Sequence, residues 1–417
     1  MTDLAVIGLG YVGLPLAREA TEAGLAVVGY DENARVVSGL NQARSHVDDV
    51  TGAEVRAMLD AGFSATCRAA VLGGAHVVVI CVPTPLHPDG SPDLDPVCRA
   101  TRTLAPFINP GMLVVLESTT YPGTTDEVVR PALERATGMT AGVDFHLAFS
   151  PERIDPGNKG FGLRNTPKVV GGLTPACAQA AAAFYGKVCD TVVMAKGTRE
   201  AEMAKLLENT YRNVNIALVN ELAVVAHELH VDLWDAIACA ATKPFGFQSF
   251  RPGPGVGGHC IPVDPNYLIH QARAAGSAVR LVELAQEINQ GMPGYVVRRA
   301  AQVLADTGKP LAGAKVLLAG VTYKADVSDL RETPARPIVR ALRTAGADVS
   351  YHDPHVPAFV VDELPVRRAR DVVRAAAAVD LTVLLQPHAA YDVDAIVAAS
   401  SLALDARGCT HSGAELL

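Results

Sequence analysis

Short apolar runs separated by amphipathic stretches fill the first half of the chain. The runs at 4–7, 25–30, 76–82, 113–117, 145–149 and 190–194 are strand-like, and most are separated by segments of helical periodicity. This alternation predicts βαβ units and a parallel, doubly wound sheet buried on both faces. From 198 to 231 the pattern becomes one helix without internal Pro or Gly. About 30 residues of helix span about 45 Å, which suits a spine between domains or a dimer interface better than a small domain. Residues 243–266 are loop-like and dense in Pro and Gly, 279–306 is helical again, and strand-like runs resume at 315–320, 347–351, 379–385 and 402–405.

The two halves echo each other. Leu4–Asp31 reads strand, Gly turn, helix, Gly24, then a strand ending in Asp31; Lys315–Asp353 reads strand, Gly320 turn, helix, Gly346, then a strand ending in Asp353. The expected fold class is therefore α/β, with two Rossmann-like doubly wound domains joined by a long central helix. The expected boundaries are 1–196, 197–308 and 309–417.

Composition narrows the class further. Over 417 residues, 49% are hydrophobic and 19% charged, which excludes a disordered chain. A net charge of −8 without a basic run argues against nucleic-acid and anionic-membrane partners, while a few local cations still suffice for a phosphorylated ligand. The start runs straight into the strand pattern at Leu4, so no signal peptide is expected, and no apolar stretch of about 18 residues suggests a membrane span. The eight cysteines (Cys67, Cys81, Cys98, Cys177, Cys189, Cys239, Cys260 and Cys409) form no C-x-x-C pair, which predicts a reduced, cytoplasmic protein.

Candidate chemistry sits in four places. Gly8-Leu9-Gly10-Tyr11-Val12-Gly13 follows a strand and opens a helix. Gly8 permits the tight turn, Gly10 the approach of a pyrophosphate, and Gly13 close packing of helix on strand. Asp31 ends the next strand, where a carboxylate would accept from ribose hydroxyls and repel a 2′-phosphate, favouring NAD; Arg35 one turn later pulls the other way. The alternative for Asp31 is a helix N-cap.

The second place is Gly257-Gly258-His259-Cys260-Ile261-Pro262-Val263-Asp264, a glycine-flanked thiol entering a helix, with an Asp four residues on. Paired glycines would expose backbone N–H groups, and the helix dipole would favour the thiolate; the alternative is a small buried hydrophobe. Third, Lys205, Asn209 and Arg212 fall on one face of the long helix and suit an oxyanion or phosphate as well as they suit solvent. Fourth, Ser150-Pro151-Glu152-Arg153 follows a strand at the ligand-binding edge of the sheet, although a lone Glu152 would read as a loop carboxylate.

Together these segments resemble the UDP-glucose/GDP-mannose dehydrogenase family over essentially the whole chain. The matching blocks are GLGYVGLPLA (8–17), VPTP (82–85), ESTTYPGTT (117–125), SPERIDPG (150–157), AKLLENTYRNVNIALVNE (204–221), PGPGVGGHCIPVDP (252–265), VTYKADVSDLRETP (321–334) and LDARG (404–408). The resemblance implies an NAD-dependent, four-electron oxidation of a nucleotide-sugar C6 alcohol to the uronic acid. Cys260 would capture the aldehyde as a thiohemiacetal, later a thioester that water hydrolyses. It implies that Lys205 and Asn209 hold the C6 oxygen, that Asp264 orients water and Lys205, and that Glu152 with Thr119 serves hydrolysis. Gly8, Gly10, Tyr11, Val12, Gly13, Asp31, Arg35, Thr84, Thr119 and Arg331 would hold NAD. The UDP-sugar would meet Glu152, Arg153, Ile154, Lys205, Asn209, Arg212, Arg251, Gly257, His259, Lys324 and Arg407. No metal is implied, and a homodimer or higher homo-oligomer through the central helix is.

Within the family, members acting on UDP-glucose or GDP-mannose typically read GGSC followed by Lys-Asp. Here His259 precedes the cysteine and Val263 stands in place of the lysine, while Thr242–Phe247 looks like members acting on UDP-GlcNAc. The resemblance thus points to the UDP-N-acetylhexosamine branch, UDP-GlcNAc first, then UDP-ManNAc and UDP-glucose. Two other classes are compatible with parts of the pattern. A 3-hydroxyacid-type dehydrogenase would share the first domain and the Lys/Asn helix face but not Cys260, and a non-catalytic nucleotide-sugar-binding protein would have lost Cys, Lys or Asp.

Overall fold

The structure is a computed structural model describing residues 2–155, 158 and 160–417. It divides into two compact units, Met1–Glu208 with Asn266–Ser277, and Asn209–Pro265 with Ala278–Leu417. Residues 197–308, the expected middle domain, are shared between the two.

The first unit carries β1 (Thr2–Ile7), β2 (Val27–Tyr30), β3 (Ser64–Thr66), β4 (Ala75–Ile80), β5 (Leu113–Leu116), β6 (His146–Phe149), β7 (Lys168–Gly172) and β8 (Val192–Met194). Their order is β3-β2-β1-β4-β5-β6-β7-β8. All neighbours are parallel except β6 and β7, which pair antiparallel through Ala148 with Gly172 and Phe149 with Gly171. The order reverses between β1 and β4, the switch point where open α/β sheets bind ligands.

Why these strands form is visible in where alternate side chains go. Leu4 and Val6 of β1 enter one core with Val79 and Val115, whereas Ala5 and Ile7 enter another with Val78, Ile80, Val114 and Leu116. A strand buried on both faces must be apolar throughout, as the runs were. Strands β3 and β7 lie outside the expected runs. The first is only three residues long, and the second opens on Lys168 and closes on Gly171-Gly172, so neither gives a clean apolar signal.

The second unit carries β9 (Lys315–Ala319), β10 (Asp348–His352), β11 (Val360–Val361), β12 (Leu364–Pro365), β13 (Arg367–Arg368), β14 (Leu381–Leu384), β15 (Ala403–Asp405) and β16 (Glu415–Leu416). Six form a sheet ordered β13-β10-β9-β14-β15-β16, parallel throughout, and β11 with β12 make a small hairpin. Val316 and Leu318 face one core, Leu317 and Ala319 the other.

The long helix runs Thr198–Glu228, three residues shorter than the apolar pattern suggested. His230 takes a positive φ of 54° behind it, and the Asp232 carboxylate then caps a separate helix, Leu233–Ala241, by accepting from the N–H groups of Trp234 and Asp235. Helix Arg280–Ala305 continues through Pro293. Among the described residues no helix is long and apolar enough to cross a membrane.

Candidate functional site

In the first unit the glycine loop has the geometry its sequence demands. Gly8 has φ 91°, and a Cβ there would lie 2.6 Å from the Cys81 carbonyl oxygen; at Gly13 it would lie 1.9 Å from the Gly8 oxygen. Gly10 differs, for a Cβ there would meet nothing within 4 Å. The protein itself therefore requires glycine at 8 and 13, whereas the backbone at Gly10 is left uncovered by the described residues, with room for a ligand group. Helix Gly13–Glu22 starts there, with its positive dipole end at the loop, although the Leu14 and Leu16 N–H groups already donate to the Gly10 and Val12 carbonyls at 3.1 and 3.2 Å.

Asp31 accepts the Leu9 N–H through Oδ2 at 3.0 Å and the Asn33 N–H through Oδ1 at 2.8 Å. The helix cap is Asn33, whose side chain accepts from Arg35 N, so the N-cap alternative for Asp31 does not hold. Asp31 stays partly solvent-accessible, as a ribose partner must, and Tyr11 and Val12 are half-buried beside the loop while Arg35 is exposed. Thr84 is buried, and its carbonyl accepts from Tyr267 Oη at 3.1 Å. Thr119 is half-buried, and the Oγ1 of its buried neighbour Thr120 has no hydrogen-bond partner among the described residues. Arg331 belongs to the other unit, where its guanidinium grips Asp329 at 2.6–3.1 Å.

The same edge of the first sheet carries Glu152, 8% exposed. Its Oε1 accepts from the Arg153 and Ile154 N–H groups at 2.7 and 2.6 Å, and its Oε2 takes Lys168 Nζ at 3.1 Å. Lys205 is buried, and its Nζ donates to the Glu152 carbonyl at 2.6 Å. Arg153 points to Glu208 at 2.7 Å and to the Pro167 carbonyl. Pro156 and Gly157, which end the block beginning at Ser150, lie outside the described residues.

In the second unit, Cys260 is exposed in a turn four residues before helix Asp264–Ala274, and its carbonyl accepts the Asp264 N–H at 2.8 Å. The thiol thus precedes the helix rather than sitting in its first turn. Asn209 Nδ2 donates to Asp264 Oδ2 at 2.5 Å, both residues being buried. The helix face continues not through Arg212, which is exposed, but through Asn213, which is fully buried and donates to Gln286 Oε1 and the Ile261 carbonyl.

The paired glycines need correcting. The Gly258 N–H donates to the Arg331 carbonyl at 3.0 Å, so it is not presented to a ligand. A Cβ on Gly257 would sit 2.5 Å from Tyr323 Cβ, and one on Gly258 would sit 2.8 Å from Tyr323 Cε2. Both glycines are needed for packing on the segment around Tyr323. His259 is half-buried, and burial followed by the charge of Arg331 lowers its pKa. Lys324 is half-buried and Arg251 exposed.

Arg407 has its guanidinium beside Gly253, where a Cβ would come within 2.8 Å of Nη1, and Nε donates to the Leu385 carbonyl at 2.9 Å. No ion pair with a carboxylate forms among the described residues, because the Asp405 carboxylate accepts from the N–H groups of Arg407, Gly408, Cys409 and Thr410. Desolvation pulls the guanidinium down to about 10, against small opposing effects of Cys409 and Asp405. A cation so placed suits a phosphate. Trp234 Nε1 closes the other side, donating to the Arg407 carbonyl at 3.2 Å over Gly408.

Asp326, His355 and His388 bring possible metal ligands within 4.8 Å of one another. His388 Nδ1, however, accepts the Asp326 N–H at 3.0 Å, which leaves Nε2–H to donate to Asp353 and no lone pair for an ion. Sequence reasoning missed Lys168 and Glu117, since an isolated Lys or Glu next to an apolar run reads as a strand end at the surface. It also missed Glu202, which is buried and accepts from the N–H groups of Gly123 and Thr125.

Three family models match in order: the NAD binding domain over residues 2–189, the central domain over 199–291 and the UDP binding domain over 317–412 of the UDP-glucose/GDP-mannose dehydrogenase family. The chain is 38% identical over 361 residues to the UDP-N-acetyl-D-glucosamine 6-dehydrogenase of Pseudomonas aeruginosa, covering 86% of this chain and 84% of that one. It is 37% identical over 355 residues to the UDP-N-acetyl-D-mannosamine dehydrogenase of Pyrococcus horikoshii, with coverage of 85% and 84%. The solved structure of UDP-D-ManNAc dehydrogenase from Pyrococcus horikoshii superposes with a TM-score of 0.91 at 32% identity, covering 100% of this chain and 99% of that one. With three successive domains matched and a glycine loop that fits a dinucleotide, the chain belongs to the UDP-glucose/GDP-mannose dehydrogenase family and is an NAD-dependent nucleotide-sugar 6-dehydrogenase.

Proposed function

We propose that this enzyme oxidises the C6 alcohol of a UDP-N-acetylhexosamine to the uronate through a covalent intermediate on Cys260, with UDP-GlcNAc as its substrate. The observation that carries the reading is the exposed Cys260 thiol in the turn that starts helix Asp264–Ala274, with the Asn209–Asp264 pair in the same unit. An alcohol dehydrogenase that stops at the aldehyde needs no nucleophile, whereas reaching the acid without releasing the aldehyde does. NAD, when bound, accepts the hydride from C6 in each of the two oxidations.

The chain's own groups do the rest. The Cys260 thiolate adds to the C6 carbonyl, and the proton goes to the new hydroxyl of the thiohemiacetal. Loss of hydride and that proton leaves a thioester, and water then breaks the C–S bond and regenerates the thiol. Lys205 and Asn209, one turn apart on the long helix, donate to the C6 oxygen, an effect worth about 3–4 kcal/mol for one donor elsewhere. Asp264 accepts from Asn209, fixing its amide, and orients water and Lys205. Glu152, helped by Thr119, prepares the water for hydrolysis. Tyr11, Val12, Asp31, Arg35, Thr84 and Thr119 serve NAD around the glycine loop, and Arg331 is assigned to NAD as well. Arg153, Ile154, Arg212, Arg251, Gly257, His259, Lys324 and Arg407 serve the UDP-sugar, Arg407 at the diphosphate. The domains assigned to these tasks are 1–196, 197–308 and 309–417.

The sugar is argued from His259 and Val263, whose imidazole and neutral side chain replace a small hydroxyl and a lysine, and from relatives named for UDP-GlcNAc and UDP-ManNAc. A second copy of the chain is the proposed partner of the long helix. Leu207, Tyr211, Leu218, Leu222 and Val225 are all exposed and fall within one narrow stripe of it, an apolar face too long for solvent. A cytoplasmic setting fits eight free thiols. The deciding experiment measures NADH release with UDP-GlcNAc, UDP-ManNAc, UDP-glucose, UDP-galactose and GDP-mannose. Two NADH per uronate, fastest with UDP-GlcNAc, is expected. One NADH per turnover sinks the covalent reading, and preference for another sugar sinks the substrate assignment alone.

A further inference from the structure

Behind Glu152 lies a buried group of ionisable side chains to which the sequence assigned no role. Strand β7 makes it possible. Being antiparallel to β6, it begins at the edge of the sheet where β5 and β6 end, so its first residue, Lys168, meets Glu117 after β5 and Glu152 after β6. Lys168 Nζ lies 2.5 Å from Glu117 Oε1 and 3.1 Å from Glu152 Oε2. Tyr185 Oη donates to Glu117 Oε1 at 2.8 Å, and Cys81 Sγ to Glu117 Oε2 at 3.3 Å. Lys168 is 3% exposed and Glu117 1%, so the cluster is closed to solvent.

We propose that Lys168 is the positioning residue of Glu152: its ammonium fixes the carboxylate that prepares water for hydrolysis and keeps it anionic, while Glu117 anchors the ammonium. The inference rests on the water-handling role of Glu152. The Lys168 ammonium is shared by two buried carboxylates, and the hydrogen bonds and nearby charges that each receives decide which of them holds a proton more readily. The two carboxylates divide the burden unequally. Burial alone would raise Glu152, but Lys168, the Ile154 N–H and Lys205 outweigh it and hold the group below the ordinary carboxylate range. At Glu117 burial prevails over Lys168, helped by the charge of Glu152, and the group is raised. A proton taken up by the pair therefore goes first to Glu117, and Glu152 remains the base. The titratable groups that act on Glu152 are Lys168, Lys205, Glu117, Cys81 and Cys189, with Tyr185 reaching it only through Glu117; Arg153 is turned away to Glu208.

The two partners of Lys168 separate this role from mere scaffolding. Removing the cation with Lys168→Met should move the acid limb of the kcat–pH profile upward by about one to three pH units, the usual effect of an opposite charge at such distance. Removing a like charge with Glu117→Gln should leave the limb in place or move it downward. Lys168→Arg should keep it, and covers the case in which Lys168→Met fails to fold. Glu152→Gln should accumulate acyl-enzyme, seen by intact-mass spectrometry after quenching. Limbs that move the same way in Lys168→Met and Glu117→Gln overturn the positioning role, as does a profile in Lys168→Arg as altered as loss of Glu152 makes it. Unimpaired hydrolysis in Glu152→Gln instead overturns the role of Glu152 on which the inference stands.

Discussion

Arg407→Met tests the nucleotide site through two measurements that a structural arginine would move together. The guanidinium has one backbone acceptor, the Leu385 carbonyl, and no carboxylate partner among the described residues. Its fall to about 10 marks a charged form disfavoured by burial. At about 1.4 kcal/mol per unit this is roughly 3 kcal/mol, and about 1–2 kcal/mol once the solvent-facing edge of the residue is allowed for. Methionine removes that penalty and keeps the stem's apolar packing, at the loss of a hydrogen bond worth about 1 kcal/mol. The ligand-free variant should therefore match wild type within about 1 kcal/mol, a thermal midpoint change of only a few degrees. Binding behaves differently. A phosphate that pairs with this guanidinium gains about 2 kcal/mol from charge-assisted bonds, so the Kd for UDP, read by calorimetry, should rise roughly 30-fold. In thermal scans, UDP at 100 times the wild-type Kd should stabilise wild type by about 2.7 kcal/mol and the variant by under half of that. An unchanged Kd for UDP refutes the phosphate assignment. A ligand-free midpoint lower by more than about 10 °C refutes the claim that the cation is not there for stability.

Three further perturbations are as direct. Gly10→Ala should leave the ligand-free midpoint unchanged, because its Cβ meets no protein atom, yet weaken NAD at least about tenfold, whereas Gly13→Ala should lose stability as well, its Cβ colliding with the Gly8 oxygen. Equal NAD affinity in Gly10→Ala and wild type, by calorimetry, contradicts the loop assignment. Cys260→Ser should bind NAD and UDP-sugar normally and make almost no uronate; more than a few per cent of wild-type turnover, followed by product analysis, would rule out the covalent route. Burial lifts Glu202 to about 7 against the N–H groups of Thr125 and Gly123. A raised folded value means stability that is full at acid pH and lost as pH climbs through about 7, so the wild-type midpoint should fall between pH 5 and 8. Glu202→Gln should flatten that fall, and parallel curves for the two proteins would show that Glu202 does not cause it.

The sequence was most informative where burial dictates residue type. Runs such as Val77-Val78-Val79-Ile80 can only be strands covered on both sides, and they are. It was least informative where a residue's neighbours come from distant strands. Lys168 opens a short, Gly-ended strand and reads as a surface cation. Only the antiparallel entry of β7 reveals that it faces Glu117 and Glu152. The Asn209–Asp264 contact is equally invisible to spacing, since it joins the long helix to the start of another across 55 positions. The paired glycines misled for the opposite reason, because Tyr323, not a ligand, fills the space they leave.

The echo between the two halves goes deeper than sequence suggested, and it explains why the halves bind different things. Gly8 and Gly320 have φ of 91° and 81° at matching turns. In each half the aspartate ending the next strand accepts the N–H of the residue after that glycine: Asp31 from Leu9 at 3.0 Å, Asp353 from Val321 at 2.7 Å. The carboxylate is thus first a clamp between the turn and the second strand. Asp31 keeps part of its surface in solvent, where ribose hydroxyls can reach it. Asp353 is fully buried, and Oδ2 also accepts from His388, so no ligand can reach it. The second half also lacks the two further glycines that let a pyrophosphate approach, since Thr322 and Ala325 stand where Gly10 and Gly13 stand in the first. A half with its carboxylate enclosed and its turn filled has lost the dinucleotide site but kept the turn. What remains for a phosphate in that half is a cation elsewhere at the sheet edge, and Arg407, just after β15, is one.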